Sequence, residues 1–141
     1  MNKCYAVVDT NVIVSALISK NYSPPRKILK AIMAGYIIPL YHPDIILEYK
    51  DVLSSEKFHL KEKTITTILN AICQFGLEVM PKSTGEILTD MDDLIFYEVA
   101  MEKQSEEAFL ITGNQKHYPI KDFIVTPAQM MSILDEKNKS S

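Results

Sequence analysis

No stretch of this 141-residue sequence stays apolar for long. Runs such as Ile37 to Leu40 and Ile45 to Leu47 fall far short of the roughly 18 residues that span a bilayer, so no membrane helix is expected. Met1-Asn2-Lys3 leads straight into Cys4 to Val8 without an h-region or a small-residue cleavage site. A secretory leader is therefore not expected, and a cytoplasmic location is. Cysteine is scarce: Cys4 and Cys73 stand far apart and outside any Cys-x-x-Cys pair, which speaks against zinc and predicts buried free thiols. His42, His59 and His117 show no metal-ligand spacing and read as turn or surface residues. Positive charge is not in excess. The 15 Lys and Arg against 18 Asp and Glu give a net charge of −3, which lacks the basic surface that binding to phosphates usually needs. Gly-x-Ser-x-Gly, Walker and dinucleotide patterns, internal repeats and low-complexity segments are absent.

What is present suits one ordinary fold. Hydrophobic residues make up 47% and charged residues 23%, close to globular averages. A single domain over 1–141 is expected, with about 136–141 as a flexible polar tail. Cys4 to Val8 is an apolar, β-branched run stopped by Asp9-Thr10-Asn11, the pattern of a buried strand ending in a polar turn. Val12 to Leu17 reads as helical, and Pro24-Pro25 opens a second helix that stops at Gly35. Further strands are predicted at Ile37 to Leu40, Leu77 to Val79, Phe109 to Thr112 and Phe123 to Val125. Further helices are predicted after Pro43, over Leu60 to Phe75, after Asp93, and from Pro127 through Leu134. Strands alternating with helices predict an α/β fold, a three-layer α/β/α sandwich with a mainly parallel sheet, whose ligands bind outside the strands' carboxyl ends.

That rim is where the acids fall. Asp9 closes the first strand, Asp93 starts the helix before the fourth, Asn114 follows the fourth, and Glu48 projects from the third helix. Each has a dull explanation. Asp9, Asp90, Asp92 and Asp93 would cap helices, and Glu48 would be a solvated acid on an amphipathic face. If the three carboxylates instead converge within about 4 Å, each pair repels by roughly 4 kcal/mol at an effective dielectric of 20, a large part of a domain's stability. A cation must then sit among them, or some must hold protons. Oxygen donors with few histidines suit Mg²⁺ or Mn²⁺.

The stretch Val7-Val8-Asp9-Thr10-Asn11-Val12 resembles the opening motif of PIN domains, a family that includes the VapC-like toxins of toxin–antitoxin pairs. Ile45-Ile46-Leu47-Glu48-Tyr49 is similar to the second motif, Asp90 through Ala100 to the third, and Phe109-Leu110-Ile111-Thr112-Gly113-Asn114 to the fourth. The resemblance runs in order from Val7 to about Leu134. It implies a metal-dependent ribonuclease in which Asp9, Glu48 and Asp93 bind Mg²⁺ or Mn²⁺ and Asp92 and Asp90 help from outside. It further implies that Thr10, Asn11 and Thr112 orient ligands or phosphate. An RNA substrate, an antitoxin whose tail enters the acidic groove, and a homodimer are implied as well. One departure stands out: many members carry an acid after Thr-Gly, where this chain has Asn114, which keeps a carbonyl oxygen but no charge. Gly-Asn also suits a tight turn.

Several other residues bear on that reading. His117, three residues after Asn114, is within reach of a substrate phosphate. Lys20, Arg26, Lys27 and Lys30, with Lys116 and Lys121, form either a local basic rim or merely solvated helix faces. Met130 and Met131 are expected on the apolar face of the last helix. Two rival functions use the same acids: a PIN-like RNA- or protein-binding module that has lost catalysis, and a phosphoacceptor or phosphate-ester hydrolase of another doubly wound fold.

Overall fold

A computed structural model describes residues 3–139. Five strands form one parallel sheet: β1 (Cys4–Val8), β2 (Ile37–Tyr41), β3 (Leu77–Glu78), β4 (Phe109–Ile111) and β5 (Ile124–Val125), in the order β3-β2-β1-β4-β5. The helices are α1 (Thr10–Ile18), α2 (Pro24–Ala34), α3 (Pro43–Leu53), α4 (Glu62–Phe75), α5 (Leu94–Glu102) and α6 (Pro127–Lys139). They flank the sheet in the expected α/β/α sandwich.

The central strand explains the rest. All of β1 except Tyr5 is buried, as a strand covered on both faces requires. From β1 the chain moves outward to β2 and β3, then returns to the other side of β1 for β4 and β5. The strand order therefore reverses between β1 and β4, and the crevice beyond their carboxyl ends is where such sheets bind ligands. Val8 pairs with Ile111, and the Asp9 amide donates to the Ile111 carbonyl at 2.9 Å, so Asp9 and Thr112 emerge side by side at that point. The fully buried Tyr49 of α3 donates its hydroxyl to the Val8 carbonyl and ties the end of β1 to the helix that carries Glu48.

Local chemistry sets the helix ends. Ser23 caps α2 by accepting from the Arg26 amide at 3.4 Å, and Gly35 ends it at φ 86°, a left-handed conformation suited to glycine. His42 caps α3, its Nδ1 accepting from the Asp44 amide at 3.0 Å. Two expectations need correction. The last helix does not stop near Leu134: residues 136–139, expected in the flexible tail, are helical, and 140–141 lie outside the described residues. No glycine or proline follows Leu134 to break the helix, and Lys137 and Lys139 complement its C-terminal dipole. Cys4 is buried as expected, but Cys73 is exposed: four residues after Leu69, it sits at the margin of the buried stripe of α4 and lines an open cleft with Ile65 and Leu69.

Gly76 shows how tightly α4 meets the sheet: a Cβ there would lie 2.3 Å from the Pro39 carbonyl oxygen and 2.5 Å from that of Ile72. Both obstacles are backbone. Gly76→Ala is expected to destabilise the fold by about 1–3 kcal/mol, read as a lower urea midpoint with an unchanged slope; an unaltered midpoint would show that the α4–β2 junction yields freely.

Candidate metal and nuclease site

Asp9 is only 5% exposed, although it directly precedes α1. Its side chain makes no cap hydrogen bond, so the capping explanation fails. Its Oδ2 instead accepts from the Thr112 hydroxyl at 2.8 Å and from the Tyr118 hydroxyl at 3.2 Å. Thr112 Oγ in turn accepts from the Asn114 amide at 3.0 Å, which orders a chain of donors running from the turn after β4 to the Asp9 carboxylate.

Glu48 is half-buried and not the solvated acid of the dull reading: one of its oxygens accepts from the Thr10 hydroxyl. Thr10 is itself buried in the first turn of α1, so residues 9 and 10 reach two different acid positions from one strand end. Burial raises the Glu48 pKa; the Thr10 hydroxyl offsets part of this, and the charges of Asp9, Asp92 and Asp90 push it up further.

Asp93 ends a single 3₁₀ turn, Met91–Asp93, whose start is capped by Asp90 accepting from the Asp92 amide at 3.0 Å. Asp90 does cap, as the plainer reading has it, while Asp93 makes no side-chain cap bond. Burial, then the charges of Asp9 and Asp90, push the Asp93 carboxyl up to about 6, with His117 pulling it down and Glu48 adding to the rise. Its Oδ2 is buried and lacks a hydrogen bond, although His117 Nδ1 lies 3.4 Å away. His117 Nε2 faces the Asn114 amide nitrogen at 2.9 Å. With the amide donating to Nε2, the ring proton of a neutral imidazole sits on Nδ1, toward Asp93.

The sheet thus brings Asp9, Glu48 and Asp93 into one electrostatic neighbourhood, with Thr10, Thr112 and Asn114 as their partners or neighbours. Asp90 and Asp92 are exposed at its edge. Asn11 is exposed too, and contacts none of the acids in a hydrogen bond; it lines a cleft with Asn114. Beside Glu48, a groove of about 400 Å³ carries Asp44, Asp51 and Asp92 with Leu47, Met91 and Ile95. Sequence reasoning missed Tyr118. The available signal was a hydroxyl-bearing aromatic before Pro119, at the end of the Gln115–His117 turn, where the extended backbone forced on a residue preceding proline sends it back to the core.

Among the described residues, no three His, Cys, Asp or Glu side chains stand close enough to form a ready coordination group. The donor chemistry still fits a hard divalent ion. The donors are carboxylate oxygens, one of them buried without a partner, and Mg²⁺ takes only one or two carboxylates directly while keeping waters.

The parallel α/β/α sheet, with Asp9 at the crevice beyond its central strands, defines a class of fold that binds its ligands there. Within that class the chain belongs to the PIN domain family, whose profile matches residues 5–116. PIN domains are generally metal-dependent nucleases. The chain is also 32% identical over 123 residues to an uncharacterized protein of Methanocaldococcus jannaschii, covering 85% of this chain and 77% of that protein.

A carboxyl whose folded pKa is raised binds its proton more tightly in the native state. It therefore costs stability as pH climbs from the ordinary carboxylate range through about 6. Asp93→Asn is expected to stabilise the protein at pH 8 without divalent ions, by on the order of 2 kcal/mol, and to have little effect near pH 4. Urea melts at both pH values measure this; a less stable variant at pH 8 would show that Asp93 is a structural asset.

Proposed function

We propose that this chain is a Mg²⁺- or Mn²⁺-dependent endoribonuclease, with Asp9, Glu48 and Asp93 as the acids that hold the ion. The observation carrying this reading is the set of acids that β1, α3 and the start of α5 bring to the sheet's switch point: Asp9 buried there with Thr112 and Tyr118 on its Oδ2, Glu48 on the adjoining Thr10, and Asp93 against His117. When bound, such an ion supplies Lewis-acid activation of water and neutralises charge at a phosphoryl group. The chain's own residues prepare the place. Thr112 and Tyr118 occupy Oδ2 of Asp9 and orient the carboxylate, and Thr10 does the same for Glu48. Asp93 holds a proton readily below about pH 6, with the His117 imidazole against it. Asn11 and Asn114 offer amide groups to a phosphate or ribose along the adjoining cleft. The choice of RNA over DNA follows the family likeness.

The reading extends to a cytoplasmic toxin held silent by an antitoxin, acting as a homodimer. Exposed Leu47 and Met91 beside the acids support a protein seated over the groove. A second reading, a catalytically weakened PIN-like module that binds RNA or protein, is favoured by Asn114 at the position where many members carry an acid. The rival phosphate-ester hydrolase or phosphoacceptor of another doubly wound fold loses ground because residues 5–116 match the PIN domain family.

With Mn²⁺ and single-stranded or structured RNA, the purified protein is expected to cleave internally. Asp9→Asn is expected to lower the rate at least 100-fold, of the order seen when one electrostatic contributor to a transition state is removed. Cleavage equal in the variant would assign the activity elsewhere, and no cleavage by the wild type, together with tight RNA binding, would favour the binding module.

A further inference from the structure

Two clefts outside the acids meet at the first turn of α2. One, of about 460 Å³, is lined by Asn11, Ser15, Pro24, Pro25, Asn114 and Thr126 among others. It adjoins the acids, since Asn11 lies two residues after Asp9 and Asn114 bonds the His117 ring. The other, of about 670 Å³, is lined by Tyr22, Arg26, Leu29, Lys30, Met33 and Ile68. Pro25 and Arg26 are consecutive, so the clefts occupy neighbouring faces of one helical turn.

The second cleft combines an aromatic, an apolar floor and a cationic rim. Tyr22 is 59% exposed, and Lys27 and Lys30 place their Nζ atoms 5.3 and 4.8 Å from its ring centroid. Leu29, Met33 and Ile68 offer surface for a flat apolar group, and Arg26 adds a third cation. The groove between α3 and the turn before α5 has the opposite character, with Asp44, Glu48, Asp51 and Asp92. Charges farther apart than about 8 Å are screened at physiological salt, so this local polarity governs an anionic polymer more than the total charge does. Such a polymer is repelled from the α3 side and drawn to α2. Its bases must be free to meet Tyr22 and the apolar floor, which selects a single strand over a duplex.

We propose that the face of α2, from the Asn11–Asn114 cleft to Tyr22, is the track for single-stranded RNA flanking the scissile phosphate. A base lies against Tyr22, and phosphates lie on Arg26, Lys27 and Lys30. The proposal rests on the nuclease reading above. The test is fluorescence anisotropy of a labelled single-stranded oligoribonucleotide with the full chain in EDTA, over a series of salt concentrations. Tyr22→Ala is expected to weaken binding about 10-fold, within the range for loss of one base–aromatic stack. Lys27→Glu with Lys30→Glu is expected to weaken it too and to reduce the slope of log K against log salt by about 1.4, for two lost phosphate contacts. Thermal melts of both variants control for folding. Unchanged affinity and slope in variants of a wild type that cleaves RNA would overturn the track alone, whereas a wild type that neither binds nor cleaves RNA would remove the nuclease reading with it. An amphipathic peptide of glutamate and leucine that binds wild type and loses binding in the Lys variants, while RNA binding persists, would assign the face to a protein and also overturn the proposal.

Discussion

Everything at this site turns on placing like charges together where water is scarce. Asp9 is buried at the end of a buried strand, and burial, with the charge of Asp9 adding to it, holds the carboxyls of Asp93 and Glu48 above the ordinary range. Such an arrangement opposes folding, and the rest of the molecule is built to hold it. The parallel sheet fixes Asp9 beside Thr112, the Tyr49 hydroxyl anchors the strand end to α3, and Tyr118 closes over Asp9 from the turn after β4. The Thr112 and Tyr118 hydroxyls share Oδ2 of Asp9, and the Thr10 hydroxyl holds one oxygen of Glu48.

Much of this was legible in the sequence for physical reasons. A buried parallel strand must read as a continuous apolar run, so Cys4 to Val8 declared β1 to the residue. Asp9 stood out because an acid directly after such a run has no ordinary place to go. Proline at the first turn and a C-terminal glycine marked α2 as plainly. The edge strands were less clear: β3 and β5 have only two residues each, too short to show alternation. The exposure of Cys73 depended on the rotation of α4, which periodicity places only to within a residue.

The tethers were the least legible part. That Thr10 serves Glu48 and Thr112 serves Asp9 depends on partners 38 and 103 residues away, which no local pattern encodes. Tyr118 carries no local signal of its role beyond the proline that follows it, and His117 reads as a turn or surface histidine, yet the turn that holds them folds back against both Asp9 and Asp93. The bland capping explanation divided the acids unevenly: it holds for Asp90 and fails for Asp9 and Asp93. The deficit of positive charge, which argued against nucleic acid, is a sum over the chain. Locally the signs separate: Arg26, Lys27 and Lys30 lie together on α2, while Asp44, Glu48, Asp51 and Asp92 line the groove between α3 and the turn before α5.

The central claim is that these carboxylates share one cation-seeking field, with Asp93 holding a proton that a divalent ion displaces. Calorimetric titration of the wild type with Mn²⁺ at pH 6 and pH 8, in buffers of different ionisation enthalpy, counts that proton. The account predicts binding at both pH values, with proton release at pH 6 that fades at pH 8 and is lost in Asp93→Asn. Absence of Mn²⁺ binding, or the same proton release with Asp93 replaced, would contradict it.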